Sequence, residues 1–408
     1  MTLPTYQPSL DEVKHIVQQC DRCGTCLTVC PLFQAKDIES SSARGKNNLA
    51  RGLLQGVVEP TTAVRKALDF CLLCRSCVDN CPNKVPTDDA MILLRQHFAD
   101  ATGTPGGKYK ALGTLLKTKS LVKFSAGALK VVRVLGLNSL VPHGMAPQEF
   151  TRAQYLASFA GPAALGSAKA YAPVQLNAKT RVAYFKSCGL RMMFPDAVAE
   201  SLRVLGSVST PLILDNRCCG LPHLAHGQQA DFLAMAKENI ALFEQADVVV
   251  SDCASCSGTL KHLAKYLADD PAWASRAEAF SKKVMSFSEY LCAAGYQPRQ
   301  QLDATLTFHE PCHLGRGQGV KKQPRQLLKA TGNYVEMTGS NTCCGGAGSF
   351  HTDYPDIANS ILQQKKVHIE NSGAQVVVTE CPTCLIQLNK LASQSGGKFK
   401  AMHISQVI

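Results

Sequence analysis

The chain has 408 residues, of which 45% are hydrophobic and 18% charged, and its formal net charge is +12. This length and apolar content are enough to bury a substantial core, and we expect two to three domains. A basic charge is one feature of nucleic-acid-binding proteins, but here the lysines are not interleaved with aromatic residues, so we predict no nucleic-acid partner.

The chain contains 19 cysteines. In a secreted protein so many cysteines would indicate disulfides, but residues 1–10 lack the charged and apolar segments of a signal peptide. We therefore expect a cytoplasmic protein, with peripheral attachment to the inner face of the cytoplasmic membrane as a further option. A reducing compartment also keeps cysteines available as thiolate ligands for metals.

Residues 1–100 contain two copies of one cysteine pattern, C-x-x-C-x-x-C-x-x-x-C-P. In two-cluster bacterial ferredoxins, three cysteines of such a run bind one [4Fe-4S] cluster and the fourth binds the other cluster. The pattern predicts a ferredoxin-type domain in which cluster 1 is held by Cys20, Cys23, Cys26 and Cys81, and cluster 2 by Cys71, Cys74, Cys77 and Cys30. Structural zinc is the alternative, but its usual two separated pairs explain neither the third cysteine of each run nor the trailing Cys-Pro.

Residues 101–180 form a basic linker. Eleven lysines and arginines lie between residues 101 and 181, against one acidic residue, Glu149. Leucines and valines alternate with lysines over residues 112–135, which predicts one or two basic amphipathic helices, and no apolar run is long enough to span a membrane. Two interpretations stay open: helices that pack on the rest of the chain with a solvated basic face, or a patch for the anionic membrane surface or an acidic partner subunit.

A second cysteine pattern occurs twice in the remaining sequence. A single cysteine is followed by a Cys-Cys-Gly and then by a C-x-x-C pair, at intervals that agree closely between the copies. The first copy, in residues 181–300, has Cys188, Cys218, Cys219, Cys253 and Cys256, and the second, in residues 301–408, has Cys312, Cys343, Cys344, Cys381 and Cys384. Such agreement indicates an internal duplication.

Both copies have the same pattern of predicted elements. Short apolar runs at residues 182–185 and 248–250 in the first copy, and 305–308 and 376–378 in the second, predict buried strands before the cysteines. Helical patterns lie between them, for instance over residues 230–243 and 354–369. The predicted fold class is α/β, a pair of duplicated βαβαβα units after an N-terminal α-helical ferredoxin domain. Because open α/β sheets bind ligands at the carboxyl ends of their strands, we expect the cysteines to form sites there.

Together these motifs resemble the family of the glycolate oxidase iron–sulfur subunit, which is related to the iron–sulfur subunit of anaerobic glycerol-3-phosphate dehydrogenase and to the Cys-Cys-Gly subunit of heterodisulfide reductase. The segment Ser42-Ala43-Arg44-Gly45-Lys46 is similar to the glycolate and lactate oxidase branch. His309-Glu310-Pro311-Cys312-His313 and the glycines after Cys343-Cys344 resemble the second repeat of the family generally. The resemblance implies two [4Fe-4S] clusters in the ferredoxin domain and one or two further clusters at the Cys-Cys-Gly repeats. Both C-x-x-C pairs are intact, which resembles the five-cysteine repeats of heterodisulfide reductase and their non-cubane four-iron clusters, so the cubane and non-cubane types both stay open.

The resemblance also implies a role in electron transfer. Gly315-Arg316-Gly317-Gln318-Gly319 lacks the spacing and the later acidic residue of a nucleotide fingerprint, so we expect FAD on a partner dehydrogenase subunit and no catalytic residue on this chain. Electrons would pass to a quinone or another acceptor during oxidation of glycolate or D-lactate. The alternatives are a heterodisulfide reductase-type catalytic subunit, the iron–sulfur subunit of an anaerobic glycerol-3-phosphate dehydrogenase, and a scaffold in which clusters are purely structural.

Four further residues stand near or outside these motifs. We expect His223, His309 and His313 to pack or to donate a hydrogen bond to a cluster sulfur, because the cysteines already supply enough ligands, although ligation stays open. Cys292 belongs to no pattern and is interpreted as a small buried hydrophobic residue.

Overall fold

The computed structural model describes residues 10–102, 107–122, 124–125, 180–298 and 302–408. The N-terminal part is helical, as predicted. Its helices are α1 (Leu10–Gln18), α2 (Pro31–Lys36), α3 (Ala43–Leu54), α4 (Thr62–Asp69), α5 (Ser76–Asn80) and α6 (Thr87–Thr102), with 3₁₀ helices at Thr25–Val29 and Glu39–Ser41. Helices α1, α3, α4 and α6 pack around a core that includes Ile16, Leu68 and Met91. The cysteine runs therefore lie in the short segments between packed helices.

Two local signals fix helix starts beside the first cysteine run. Pro31 occupies the first turn of α2, where its fixed φ and missing N–H suit a helix start, so Cys30 becomes the residue that precedes the helix. The Ser42 hydroxyl accepts a hydrogen bond from the Gly45 N–H at 3.1 Å and caps α3.

The described part of the basic linker contacts the first repeat. Helix α7 (Gly107–Lys117) accepts hydrogen bonds from that repeat at its backbone carbonyls: Arg217 Nη1 donates to Lys117 at 3.0 Å, and Gln228 Nε2 donates to Tyr109 at 3.2 Å. The other predicted amphipathic helix positions from residue 126 onward lie outside the described residues. Among the described residues, none of the helices combines the length and apolar character needed to cross a membrane.

The two repeats have the same architecture, which confirms the predicted duplicated α/β units. The first repeat contains strands β1 (Val182–Tyr184), β2 (Leu212–Ile213), β3 (Val248–Ser251) and β4 (Val284–Ser286), and the second contains β5 (Leu302–Phe308), β6 (Gly332–Tyr334), β7 (Val376–Thr379) and β8 (Lys400–His403). The strand orders are β2-β1-β3-β4 and β6-β5-β7-β8, and every pair is parallel. Each sheet thus has one strand more than the three predicted.

Helices connect the strands in both repeats. The first has α8 (Cys188–Met193), α9 (Pro195–Gly206), α10 (Leu221–Ala225), α11 (Gln229–Leu242), α12 (Ala254–Lys261), α13 (Leu263–Tyr266), α14 (Ala274–Lys282) and α15 (Phe287–Ala293). The second has α16 (Cys312–Gln318), α17 (Lys322–Ala330), α18 (Phe350–Asp353), α19 (Pro355–Ser372) and α20 (Pro382–Gln394), followed by a 3₁₀ helix at Ile404–Gln406. Cys188, Cys253, Cys312 and Cys381 all follow the carboxyl ends of the central strands, where ligands of parallel sheets bind.

The repeats share one hydrophobic core. Tyr184 and Phe287 of the first repeat and Phe308 and Ile404 of the second belong to the same buried cluster. Hydrogen bonds also cross between the repeats, since the Ala254 N–H donates to the Glu380 carbonyl at 2.8 Å. The carboxyl ends of the two sheets therefore face each other.

The ferredoxin domain packs mainly on the second repeat. Helix α2 lies against α19, and α5 lies against α16. Leu32 and Leu72 of the ferredoxin domain form a buried cluster with Phe350 and Ile361 of the second repeat. This packing brings the second ferredoxin cysteine run next to the second Cys-Cys-Gly.

Candidate iron–sulfur sites

The first ferredoxin site is a cavity of about 120 Å³. The sulfur-bearing residues that line it are Cys20, Cys23, Cys26, Cys77 and Cys81. Arg44, from the segment between the two cysteine runs, also lines the cavity, and it pairs with Glu39 at 2.7 Å. The structure thus brings the first three cysteines of one run together with the last cysteine of the other.

The second ferredoxin cavity is lined by Cys30, Cys71, Cys74 and Cys77. Lys46 lines it as well and is 1% exposed, and its ammonium donates hydrogen bonds to the backbone carbonyls of Ser40 and Ser41. Burial lowers the pKa of Lys46, whereas the surrounding cysteine thiolates act in the opposite direction. A buried cation beside four thiols favours their ionised, metal-binding form.

The backbone of the two ferredoxin loops follows one template. The residue before the second cysteine has a left-handed conformation in both runs, with φ 60° at Arg22 and 53° at Leu73. The residue after that cysteine does so too, with φ 88° at Gly24 and 60° at Arg75. Left-handed conformations are uncommon for side chains such as leucine and arginine, so this repeated geometry indicates that the loop is held by its site.

The first Cys-Cys-Gly site is buried between β1, β3 and their following helices. The Sγ atoms of Cys188 and Cys218 lie 3.4 Å apart. Hydrogen bonds from the thiols of Cys218 and Cys256 lower the pKa of Cys219 well below its usual value. Cys256 in turn contacts Cys253. All five predicted cysteines of this repeat therefore lie in one group.

The second Cys-Cys-Gly site repeats this arrangement. Hydrogen bonds from the thiols of Cys343 and Cys384 lower the pKa of Cys344 well below its usual value. Cys384 also contacts Cys381, and the charges of Cys343, Cys344 and Cys381 act on Cys312. The five predicted cysteines again form one buried group.

The second site has a nitrogen donor within reach. A ring nitrogen of His309 and the sulfurs of Cys344 and Cys384 all lie within 4.8 Å of one another, and the three residues are buried. Within the part of the chain that the structure describes, the buried Nδ1 atom of His309 has no hydrogen-bond partner. Burial holds the pKa of His309 well below its usual value, so the imidazole is neutral.

The cysteine sites also contact one another. The thiols of Cys74 in the second ferredoxin site and Cys343 in the second Cys-Cys-Gly site lie close enough to shift each other's pKa. The same holds for Cys253 of the first repeat and Cys381 of the second, and Ser255 Oγ lies 3.6 Å from Cys381 Sγ. Cys77 lines both ferredoxin cavities. The four sites therefore form a continuous series through the molecule.

The donor chemistry fits iron–sulfur clusters. All nineteen cysteines are free thiols, and eighteen of them are gathered into the four groups described above. Groups of soft sulfur donors suit iron–sulfur clusters better than any hard cation. His309 reaches one of these groups, and its buried Nδ1 has no hydrogen-bond partner among the described residues, which is a further sign that a bound group completes that site.

The remaining candidate residues have other roles. His313 Nδ1 lies 3.0 Å from Ser255 Oγ, and its ring also meets the backbone of Leu73. His223 Nε2 lies 3.0 Å from the carbonyl oxygen of Gly113 in α7. Cys292 lies outside the four groups, with Sγ 3.6 Å from the Gln323 carbonyl, and is partly buried.

The glycine-rich stretch after Cys312 is part of a helix. Residues 312–318 form α16, and a Cβ on Gly315 would lie 1.9 Å from Oε1 of Glu310. Glu310 is itself paired with Arg325 at 2.7 Å. This glycine therefore permits close packing against a partly buried ion pair.

Several buried polar residues around the sites were not found from sequence. Lys365 donates to the carbonyls of Gly339 and Ser340 at 2.8 and 2.9 Å, just before Cys343, and burial lowers its pKa to about 7. Glu380, which precedes Cys381, accepts from the Phe287 N–H at 3.0 Å, and burial raises its pKa to about 8. The only feature in the sequence that could have indicated these residues is their position: Glu380 lies beside a cysteine motif, and Lys365 lies within a predicted helix.

Comparison with known proteins identifies the domain families in the chain. The family model of the 4Fe-4S dicluster domain matches residues 16–85, and the model of the Cysteine-rich domain matches residues 182–261 and 306–389. The chain is 28% identical over 413 residues to the probable glycolate oxidase iron-sulfur subunit of Bacillus subtilis (strain 168), which covers 95% of this chain and 92% of the relative.

Two further relatives cover different shares of the chain. The glycolate oxidase iron-sulfur subunit of Escherichia coli (strain K12) is 26% identical over 410 residues, covering 97% of this chain and 94% of the relative. Lactate utilization protein A of Lysinibacillus sphaericus (strain C3-41) is 32% identical over 195 residues, covering 47% of this chain and 86% of the relative.

Proposed function

The chain belongs to the family of iron–sulfur proteins that includes the glycolate oxidase iron–sulfur subunits, and from that premise we propose that it is the electron-transfer subunit of a flavin-dependent glycolate or D-lactate dehydrogenase. It acts as an oxidoreductase only within a complex. Oxidation of a hydroxy acid removes two electrons and needs a flavin or a nicotinamide. A partner subunit would bind FAD and the hydroxy acid, and this chain would deliver the electrons to a quinone or another acceptor.

The cysteines divide into four ligand sets in this proposal. Two sets follow the ferredoxin cavities, with Cys20, Cys23, Cys26 and Cys81 in the first and Cys30, Cys71, Cys74 and Cys77 in the second. The other two are the five-cysteine groups of the repeats, with domain boundaries at residues 100, 180 and 300. Iron–sulfur clusters supply one-electron transfer when bound, with potentials set by cluster type, hydrogen bonds and exposure.

The observation that carries this function is the series of contacts between the sites. Cys77 borders both ferredoxin cavities, Cys74 contacts Cys343, and Cys253 contacts Cys381. A purely structural use of clusters would not require the four groups to adjoin one another. The helices of the ferredoxin domain and the facing sheet ends hold these contacts in a fixed order: first ferredoxin site, second ferredoxin site, second repeat, first repeat.

A disulfide reductase is the second candidate function. It is favoured by the two complete five-cysteine groups, which meet at Cys253 and Cys381. In that case the chain itself would hold the catalytic centre, and thiols would change the paramagnetic resonance of the repeat sites.

The test uses the chain together with an FAD-binding dehydrogenase from the same genome, sought first among the neighbouring genes. We expect the two proteins to co-purify and to reduce a quinone analogue with glycolate or D-lactate as donor, while the chain alone reduces neither dye nor quinone. Glycerol 3-phosphate is included as a donor, because activity with it alone would assign the chain to the glycerol-3-phosphate branch and refute the proposal. Hydroxy-acid-dependent dye reduction by the isolated chain would also refute it.

Two variants sharpen this test. Cys253→Ser removes a thiol at the junction between the repeats, whereas Cys292→Ser changes a cysteine outside the four groups. We expect Cys253→Ser to abolish quinone reduction but to leave dye reduction at the flavin of the complex, and Cys292→Ser to retain both. Quinone reduction that survives Cys253→Ser would contradict a path through the repeats.

A further inference from the structure

The two repeats differ at one buried position beside their cysteine sites. Phe185 lies three residues before Cys188, and His309 lies three residues before Cys312. Their backbones are equivalent, because the Phe185 N–H donates to Val250 and the His309 N–H donates to Val378, both at 2.8 Å. The second repeat thus has an imidazole where the first has an apolar ring.

The surroundings of His309 are those of a ligand. The side chain is 1% exposed, and its ring reaches the sulfurs of Cys344 and Cys384 within the 4.8 Å spacing given above. Its Nδ1 atom is buried and accepts or donates no hydrogen bond within the described residues. A neutral imidazole offers one nitrogen lone pair, and a buried ring nitrogen left without a partner destabilises the folded protein.

We propose that His309 is a nitrogen ligand of the metal centre in the second repeat, whereas the centre in the first repeat has only cysteine ligands. This inference rests on the proposed function, in which each repeat holds an iron–sulfur centre. Imidazole is a recognised replacement for thiolate at such centres and raises their reduction potential. The two duplicated sites are therefore electronically different.

Lys365 acts in the same direction whenever its buried amine is protonated. Lys365 lies behind the second Cys-Cys pair and donates to Gly339 and Ser340, while the corresponding helix of the first repeat places the neutral Asn239 behind Cys218, donating to its carbonyl at 3.0 Å. Positive charge near a centre stabilises its reduced form, since reduction adds a negative charge. We expect the second centre to have the higher reduction potential of the two.

The neighbouring histidine provides a matched control. His313 adjoins Cys312 and is partly buried, and its ring is engaged by Ser255 Oγ at 3.0 Å and by the backbone of Leu73. A substitution there disturbs the same helix without removing the nitrogen that faces Cys344 and Cys384. The variants to compare are His309→Phe, which introduces the residue of the first repeat, and His313→Phe.

The experiment measures nitrogen hyperfine coupling. The full chain is produced with ¹⁵N-histidine or with ¹⁴N-histidine, loaded with iron and sulfide under anaerobic conditions, and reduced stepwise at controlled potential. We expect an isotope-dependent nitrogen coupling of ligand strength in the wild type and in His313→Phe, and its loss in His309→Phe. The midpoint potential of one centre should shift to a lower value in His309→Phe alone.

The wild-type protein alone can overturn the inference, because the absence of any coupling to histidine nitrogen would exclude ligation even if a variant failed to fold. A coupling that persists in His309→Phe would overturn it as well. Metal analysis separates these results from a failure of the proposed function. Zinc in place of iron in the second repeat would refute the function, whereas full iron loading without histidine coupling would refute only the role of His309.

Discussion

Gly345, which follows the second Cys-Cys pair, adopts a left-handed backbone conformation and also packs closely against another segment of the backbone. Alanine substitutions at Gly345 and Gly348 distinguish the effects of these two features. Gly345 has φ +77°, and a Cβ there would lie 2.7 Å from the backbone oxygen of Ala358 in α19. Gly348 has φ +62°, but a Cβ there would meet nothing within 4 Å. Alanine at either position adopts the disfavoured left-handed conformation, and only alanine at Gly345 also collides with the backbone.

The structure gives a magnitude for each change. A left-handed conformation costs an L residue about 1–2 kcal/mol, which is the whole expected cost of Gly348→Ala. Overpacking against fixed atoms adds about 1–3 kcal/mol in Gly345→Ala. The Gly345 N–H also donates to Cys343 Sγ at 3.4 Å, so displacement of this backbone moves the cysteine site itself. We therefore expect Gly345→Ala to lose the iron of the second repeat and Gly348→Ala to keep it.

The measurement is iron content and the urea midpoint of the anaerobically loaded chain. Gly345→Ala should unfold at a clearly lower urea concentration than Gly348→Ala and should show less iron per chain. Equal losses in the two variants would refute the reasoning, because the close approach to Ala358 would then contribute nothing beyond the backbone conformation.

Three further predictions concern the ferredoxin sites and the isolated cysteine. Cys81→Ser and Cys26→Ser should alter the paramagnetic resonance signal of the same cluster, and Cys30→Ser should alter that of the other cluster. If Cys81→Ser instead altered the same signal as Cys77→Ser and not that of Cys26→Ser, the crossed ligand sets would be wrong. Lys46→Met leaves the carbonyls of Ser40 and Ser41 without their donor, so it should lower the free energy of unfolding, measured by urea titration, by about 2–4 kcal/mol. The control is Lys66→Met at an exposed lysine, which should change the free energy of unfolding by less than about 0.5 kcal/mol. Burial raises the pKa of Cys292 to about 11, so at pH 8 its thiolate fraction is about a hundredfold below that of an ordinary thiol. The rate of its alkylation, followed by mass spectrometry, should therefore increase about tenfold per pH unit up to pH 11. Rapid alkylation of Cys292 at pH 7 would contradict this prediction.

The architecture of the repeats could be predicted from sequence because its signals are local. Val248–Ser251 and Val376–Thr379 are apolar runs, and the cysteines follow them directly. The fourth strands, Val284–Ser286 and Lys400–His403, could not be predicted in this way. They are short and lack an apolar run. Their strand conformation depends on pairing with β3 and β7 and not on the preference of their own residues.

The relations between the sites could not be predicted, because they depend on residues that are far apart in sequence. Cys74 and Cys343 meet only when the ferredoxin domain packs on α16 and α19. Similarly, His309 and His313 bracket the same cysteine, yet one ring reaches Cys344 and the other reaches Ser255. The left-handed conformation of Leu73 could not be predicted from sequence either, because leucine has no preference for that conformation.

The duplication itself argues that His309 has a function. The equivalent position in the first repeat accepts Phe185, which is fully buried in the same backbone setting, so the fold has no need of a polar ring there. An unpartnered nitrogen in the second repeat carries a cost that the phenylalanine avoids. A bound metal offsets that cost by using the lone pair, and without a metal the histidine would destabilise the repeat. Removing the metal should therefore make His309→Phe as stable as the wild type or more stable, and a large loss of stability in the metal-free variant would show that His309 is needed for packing instead.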